Sequence, residues 1–250
     1  MNILPSKNSP KKHDLVFAGL PTPVQVRRHP AAKRLTLRIS PTRRAVILTM
    51  PKHCSFDDAS DFLNENIEWV RERIEQLPDA VPFVNDIDIP LRGELHRICF
   101  KGPLRGRDVV WIEKQADELS NLCVTGDFDH APRRLKDWLS AQAKDDLGTR
   151  VNWHAKNLGL QARHISVRDQ TTRWGSCSSR GHLSFSWRLI LAPSFVLDYV
   201  AAHEVAHLQE MNHGPRFWEL VRMTMPHMDD ARDWLKHNGS KLHSYGVSQE

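Results

Sequence analysis

Residues 203–213 read HEVAHLQEMNH, which places three histidines and a glutamate within eleven positions. On a helix, His203 and His207 lie four apart, so both imidazoles project from one face, one turn above the other. Two nitrogens so placed suit a tetrahedral metal, which binds imidazole at about 2.0–2.1 Å. Glu204, next in sequence, can reach a water held at an open coordination position. Zinc lowers the pKa of such a water to about 7, and a glutamate can take its proton as the water attacks a carbonyl. This chemistry needs one more ligand. His213 is the candidate: it follows His207 by six residues, past a plausible helix end. Asn212 tolerates the left-handed conformation that a chain reversal needs, and Gly214–Pro215 can launch the next helix. Glu210 and Glu219 are rival ligands, with His227 and His237 behind them.

The elements around this stretch must hold it in place. A helix from Ser194 to about Gln209 would carry the motif, with Phe195, Val200, Ala201, Val205, Ala206 and Leu208 as its apolar side. A second helix starts at Pro215, placed as an N1 proline, and a third covers about Met228 to His237, before Gly239. Upstream, HISVRD reads as a strand, and TTRWGSC with HLSFSW as a hairpin. Pro132 opens a long helix in which Leu135, Trp138, Leu139, Leu147, Val151, His154 and Leu158 keep helical spacing up to Gly159. Residues 83–125 read as short strands (LHRICF, DVVWIE, LSNLCV) between turns. Earlier, Leu35, Leu37 and Ile39, then Val46, Leu48 and Met50, alternate as a β-hairpin. The segment from Ser55 to Leu77 follows as one helix with a Ser55–Asp58 capping box, an apolar face of Leu63, Ile67, Val70, Ile74 and Leu77, and Pro78 and Pro82 to end it. The organisation is α+β: a disordered tail over 1–20, a β-rich unit with one helix over 21–125, and a region carrying the histidines over 126–250.

The chain has 250 residues, 40% hydrophobic and 26% charged, the balance of a soluble globular protein. Its longest apolar run is far short of a membrane span, and MNILPSKNSPKKHD lacks the apolar core of a signal peptide. A cytoplasmic protein with no membrane partner is expected. Cysteines at 54, 99, 123 and 177 show no paired spacing, which fits a reducing compartment. The net charge of +5 is concentrated early: Arg27, Arg28, Lys33, Arg34, Arg38, Arg43 and Arg44 fall within 18 residues. Such a run is either a surface for nucleic acid or an acidic partner, or the solvated face of the hairpin.

The stretch RWGSCSSRGHLSFSWRLILAPSFVLDYVAAHEVAHLQEMNHGPRFWELV resembles the YgjP-like metallopeptidases, relatives of the SprT-like zinc proteases. Three hallmarks carry the likeness: WGSC at Trp174–Cys177, YVxxHExxH at Tyr199–His207, and NHxxxFW at Asn212–Trp218. The resemblance is strong over residues 170–226 and looser in the N-terminal half. It implies a zincin-like catalytic region whose HExxH helix packs on a small sheet, a Zn2+ cofactor, and a protein or peptide substrate. It also implies His203, His207 and His213 as ligands and Glu204 as catalytic acid and base. The His203-to-His213 spacing equals that of the metzincin pattern HExxHxxGxxH, but Glu210 stands at its glycine, so a metzincin fold is not implied. The cysteine-rich ribbon of many SprT-like proteases has no counterpart here, which weakens any transfer of their action on DNA-bound proteins.

Around the motif, Trp174, Gly175 and Ser176 are candidates for an edge strand that pairs with an extended substrate; otherwise Trp174 is core and Gly175 a bulge. Arg173 is a candidate for stabilising an oxyanion, with Tyr199 and His182 as alternatives. Tyr199 precedes His203 by one turn and could equally orient that ring. Cys177 reads as a small buried residue or a redox-sensitive thiolate near the metal, and Phe217 and Trp218 as core. Asp198 and Glu210 are candidates for holding a ligand's free N–H. The reading adopted is a zinc-dependent metallopeptidase using metal-activated water and a glutamate general base. The alternative is a non-catalytic zinc-binding module whose basic hairpin binds nucleic acid or a protein partner. A metallohydrolase acting on a non-peptide amide is a further rival.

Overall fold

The structure, a computed structural model, describes residues 13–15, 20, 22, 24–104, 106, 108–116 and 119–247. They form two compact units, Met1–Leu77 and Pro78–Glu250. Of the expected disordered tail, residues 1–12 and 16–19 lie outside the described residues, whereas His13–Leu15 forms a strand.

The first unit is a four-stranded sheet of β1 (His13–Leu15), β2 (Val24–Arg28), β3 (Thr36–Ser40) and β4 (Ala45–Met50), in the order β1-β2-β4-β3. The expected hairpin is present: β3 and β4 pair antiparallel, with Leu37 opposite Leu48. Strand β2 joins β4 in parallel. Val24, Val26, Val46, Leu48 and Met50 bury one face against Ala59, Leu63, Val70 and Ile74. Those four residues come from α1 (Phe56–Glu65) and α2 (Ile67–Glu75). The Ser55–Asp58 capping box is formed, but the single helix expected from Ser55 to Leu77 is broken at Asn66. That residue leaves helical geometry (φ −109, ψ 13), and its side chain donates to the Phe62 carbonyl at 2.7 Å. An Asn side chain competes for backbone groups in this way, and the helical periodicity of the apolar residues does not register it.

The second unit holds a sheet of β5 (Asp88–Leu91), β6 (Glu94–Gly102), β8 (Asn121–Thr125) and β7 (Val110–Glu113), then α3 (Ala131–Asn157). A three-stranded sheet follows, ordered β10 (Gly175–Cys177), β11 (His182–Ser186), β9 (His164–Arg168). The last elements are α4 (Ser194–Ala206), α5 (Pro215–Thr224) and α6 (Met228–Leu242). The boundary expected after residue 125 is not where the chain divides. Ile89, Ile98, Leu122 and Val124 share one core with Leu135, Leu139, Phe185, Val205 and Phe217. Short strands look self-contained in sequence, but these four bury a face that only α3 and its neighbours can cover. Along α4, Val200, Ala201, Val205 and Ala206 are buried as expected, whereas Phe195 is 41% exposed. Among the described residues, no helix is long and apolar enough to cross a membrane.

Candidate metal centre

The 13-residue helix α4 has buried residues almost all round, so its last turn opens where it meets other elements. There His203 and His207 stand with ring centroids 4.9 Å apart. The chain leaves the helix and reverses, bringing His213 to 4.9 Å from His203 and 4.7 Å from His207. Each of the three offers a ring nitrogen, and those nitrogens all lie within 4.8 Å of one another. Among the described residues no other group meets that test, so the rivals Glu210, Glu219, His227 and His237 are not brought into it. The Nε2 atoms of His203 and His213 face each other at 3.0 Å. Two lone pairs so placed need a proton or a cation between them.

Neighbouring side chains fix the rings. Phe217 of α5, fully buried, lies 4.8, 4.5 and 4.7 Å from His203, His207 and His213 respectively. Trp218 backs His203 and His213 at 6.0 and 5.8 Å. His207 Nδ1 lies 2.9 Å from the Glu210 carbonyl; a carbonyl only accepts, so Nδ1 carries the proton and Nε2 keeps its lone pair. Glu210 thus acts through its backbone and not through its carboxylate. Tyr199, 7% exposed, points its hydroxyl at His203 Nδ1 from 3.4 Å. Burial first, then the neighbouring His207 and His213, pushes His203 down to about 3, and burial likewise lowers His207. Both imidazoles are therefore neutral near pH 7, the form that ligates metal.

Glu204 lies beside this triangle, 5% exposed, and its Oε2 has no hydrogen-bond partner. Burial raises its carboxyl to about 8, against the opposing charge of Arg173. Gly175 explains how the carboxylate fits. It is a regular ladder residue of β10, opposite Phe185, and not a bulge. A Cβ built there would sit 2.5 Å from Glu204 Oε1, so only glycine leaves the space.

The other candidates separate. Arg173 is exposed and close enough for its charge to act on Glu204. Ser176 pairs with Ser184 on the opposite sheet face from Gly175. Trp174 stacks on His243 at 4.7 Å and 14°, and its carbonyl accepts from the Ser186 N–H at 2.8 Å. Cys177 is half-buried, its thiol pushed up to about 11 by burial and then by Glu204, so it is a protonated thiol rather than a thiolate. His182 is exposed, its ring against His164 at 5.9 Å. Asp198 holds no metal-site histidine; it binds Arg150 at 2.5 and 2.7 Å and His154 at 2.7 Å. Arg232 of α6 was not singled out in the sequence. Its guanidinium lies 4.8 Å over Trp218, and no local pattern marks a residue that arrives from another helix.

Three imidazoles converging beside a buried carboxylate make a donor set of the kind that suits a metal ion. The sequence profile of the YgjP-like metallopeptidase domain matches residues 33–238, and the chain belongs to that family of metallopeptidases. The family implies a divalent metal, and the orphaned Glu204 oxygen with the three converging ring nitrogens fits one. No curated protein matches the chain. Among solved structures, the chain is similar to the crystal structure of the metallopeptidase zymogen of Pyrococcus abyssi abylysin, with 19% identity over 41% of this chain and 99% of that one. The TM-score is 0.35.

Proposed function

We propose that the protein is a zinc-dependent peptidase of zincin-like type, with His203, His207 and His213 as ligands and Glu204 as general base and acid. The observation that carries this reading is the pairing of a closed imidazole triangle with a buried, unpartnered carboxylate. A purely structural metal site gives no reason to bury Glu204 without a partner, because an unmet buried polar group costs about 1–3 kcal/mol. When bound, zinc would polarise the scissile carbonyl and acidify water at the site. Glu204 takes the proton from the attacking water and delivers it to the leaving amine. Its raised pKa, close to neutrality, suits both halves of that transfer. His207 is held in the ligating tautomer by the Glu210 carbonyl, and Phe217 keeps the rings from swinging apart.

Strand β10 ends its sheet, so one of its edges carries no strand among the described residues. An extended peptide added along that edge would lie beside Glu204, with Arg173 at hand for developing negative charge. The test is Glu204→Gln, measured for both metal content and hydrolysis of a peptide library. Retained zinc with hydrolysis lost supports the reading; retained zinc with hydrolysis unchanged ends it. Loss of zinc from His213→Ala with a preserved fold checks the third ligand separately.

A further inference from the structure

The histidines and Glu204 all belong to the second unit, and the first unit has a charge distribution of its own. From Leu15 to Phe56 the sequence contains eight Lys and Arg and no Asp or Glu, whereas Phe56 to Glu75 contains seven acids against two arginines. The acids lie on α1 and α2, which cover one face of the sheet. Register fixes what lies on the other face. Arg27 is opposite Thr49, Thr36 is opposite Thr49, and Gln25 and Arg38 both flank Ile47. Gln25, Arg27, Thr36, Arg38 and Thr49 therefore share the face that α1 and α2 leave uncovered. Arg27 donates to Thr49 Oγ1 at 2.9 Å, and Arg43 reaches Gln25 Oε1 at 3.4 Å. One acid shares the face: Asp14 of the edge strand β1 lies opposite Gln25. The three arginines act on each other: burial and then the charges of Arg27 and Arg43 lower the Arg38 pKa. Three guanidiniums against one acid at the edge leave the face net positive, which opposes the compact state unless an anion neutralises it.

The chemistry of the face selects the anion. Residues 24–55 contain no Phe, Tyr or Trp, so there is no platform on which unpaired bases could stack. Ile47 is 4% exposed, so the face also lacks the apolar anchor on which protein interfaces depend. Apart from Asp14 at the edge, what remains is guanidinium interleaved with hydroxyl and amide groups, which hold phosphates. We propose that this sheet face, through Arg27, Arg38 and Arg43, binds the phosphate backbone of duplex nucleic acid without reading its sequence. The acidic helices on the opposite face repel the same backbone and so fix which side docks.

The test uses the full chain and a fluorescein-labelled duplex of about 20 base pairs, followed by anisotropy. Three phosphate contacts give a log–log salt slope of about −2.7, or roughly 40-fold weaker binding between 50 and 200 mM salt. The triple variant Arg27→Gln, Arg38→Gln, Arg43→Gln loses that binding, while the corresponding triple Arg→Lys variant keeps most of it. Both hydrolyse a short neutral peptide as the parent does. The proposal is overturned by a Gln triple within twofold of the parent, or by no duplex binding at 50 mM salt. It is also overturned if polyglutamate of matched charge competes as well as unlabelled duplex, which would mark an acidic protein as the partner. Circular dichroism checks the variants; should the Gln triple not fold, the salt slope and the competition on the parent decide.

Discussion

Glu204 and Asp198 sit six positions apart on one helix and are treated in opposite ways by the fold. Asp198 has both oxygens engaged, by Arg150 and by the fully buried His154. Burial alone would raise its carboxyl; the bonds from His154 and Arg150 more than reverse that and hold it below the usual range. Glu204 is buried more deeply than the half-buried Asp198, yet its Oε2 has no partner and its carboxyl is raised to about 8. The same side-chain chemistry thus serves as a tie between α3 and α4 in one place and, in the proposed function, as a proton carrier in the other. Whether the fold completes the carboxylate's hydrogen bonds distinguishes the two, and displaced pKa values of the second kind gather at functional sites.

That contrast can be broken by exchanging each carboxylate for its amide. Glu204→Gln is expected to lower peptide hydrolysis by about 10²–10⁴-fold, with the melting temperature unchanged or raised, since no hydrogen bond is lost. A clear fall in stability would show Glu204 to be a structural group. Gly175→Ala sharpens the point. The new methyl meets Glu204 from Cγ to Oε1, so the whole side chain must move, and activity falls by about 10²-fold while zinc content stays close to the parent's. A mutant that instead unfolds would show the strand and helix to be too tightly locked for that. Asp198→Asn is expected to behave in reverse: a loss of roughly 2–3 kcal/mol in urea unfolding, with hydrolysis per folded, zinc-loaded molecule little altered.

The smallest effect concerns His243, stacked under Trp174. Burial, and then the charge of Arg188, lowers its pKa to about 4, whereas the unfolded chain takes up this proton near 6.5. The folded state therefore binds fewer protons between those values, and stability present above pH 6.5 is lost as pH falls toward 4, by at most roughly 3 kcal/mol. His243→Phe keeps a ring for Trp174 but cannot titrate. With both proteins metal-free, so that His203 contributes equally, urea midpoints should fall less steeply with acid in the variant. An unchanged acid limb would assign the loss to other groups.

The motif was legible because helix geometry converts a spacing of four into a shared face without tertiary information, and His213 followed a visible helix end. The capping box at Ser55 and the hairpin of β3 and β4 were legible for the same reason, as local rules with local outcomes. What failed to show depends on distant partners. The break at Asn66 is one side-chain bond inside an unbroken apolar periodicity. The unit boundary at Leu77 depends on which strands share a core with α3. Asp198 looked like a partner for a metal-site imidazole, but its partners Arg150 and His154 lie 48 and 44 residues earlier. Gly175 read as a bulge or a strand residue in sequence, and only the position of Glu204 explains it.

The direction in which α4 runs has its own consequence. His203 and His207 lie in its final turn, and His207 is the C-cap residue. The aligned peptide dipoles of a helix leave about half a negative charge at that end. A cation among the three imidazoles would therefore meet a favourable field from the backbone itself, before any side chain is counted. The same eleven residues grafted onto the start of a helix would offer similar ligands against an opposing field, and should hold the ion less tightly.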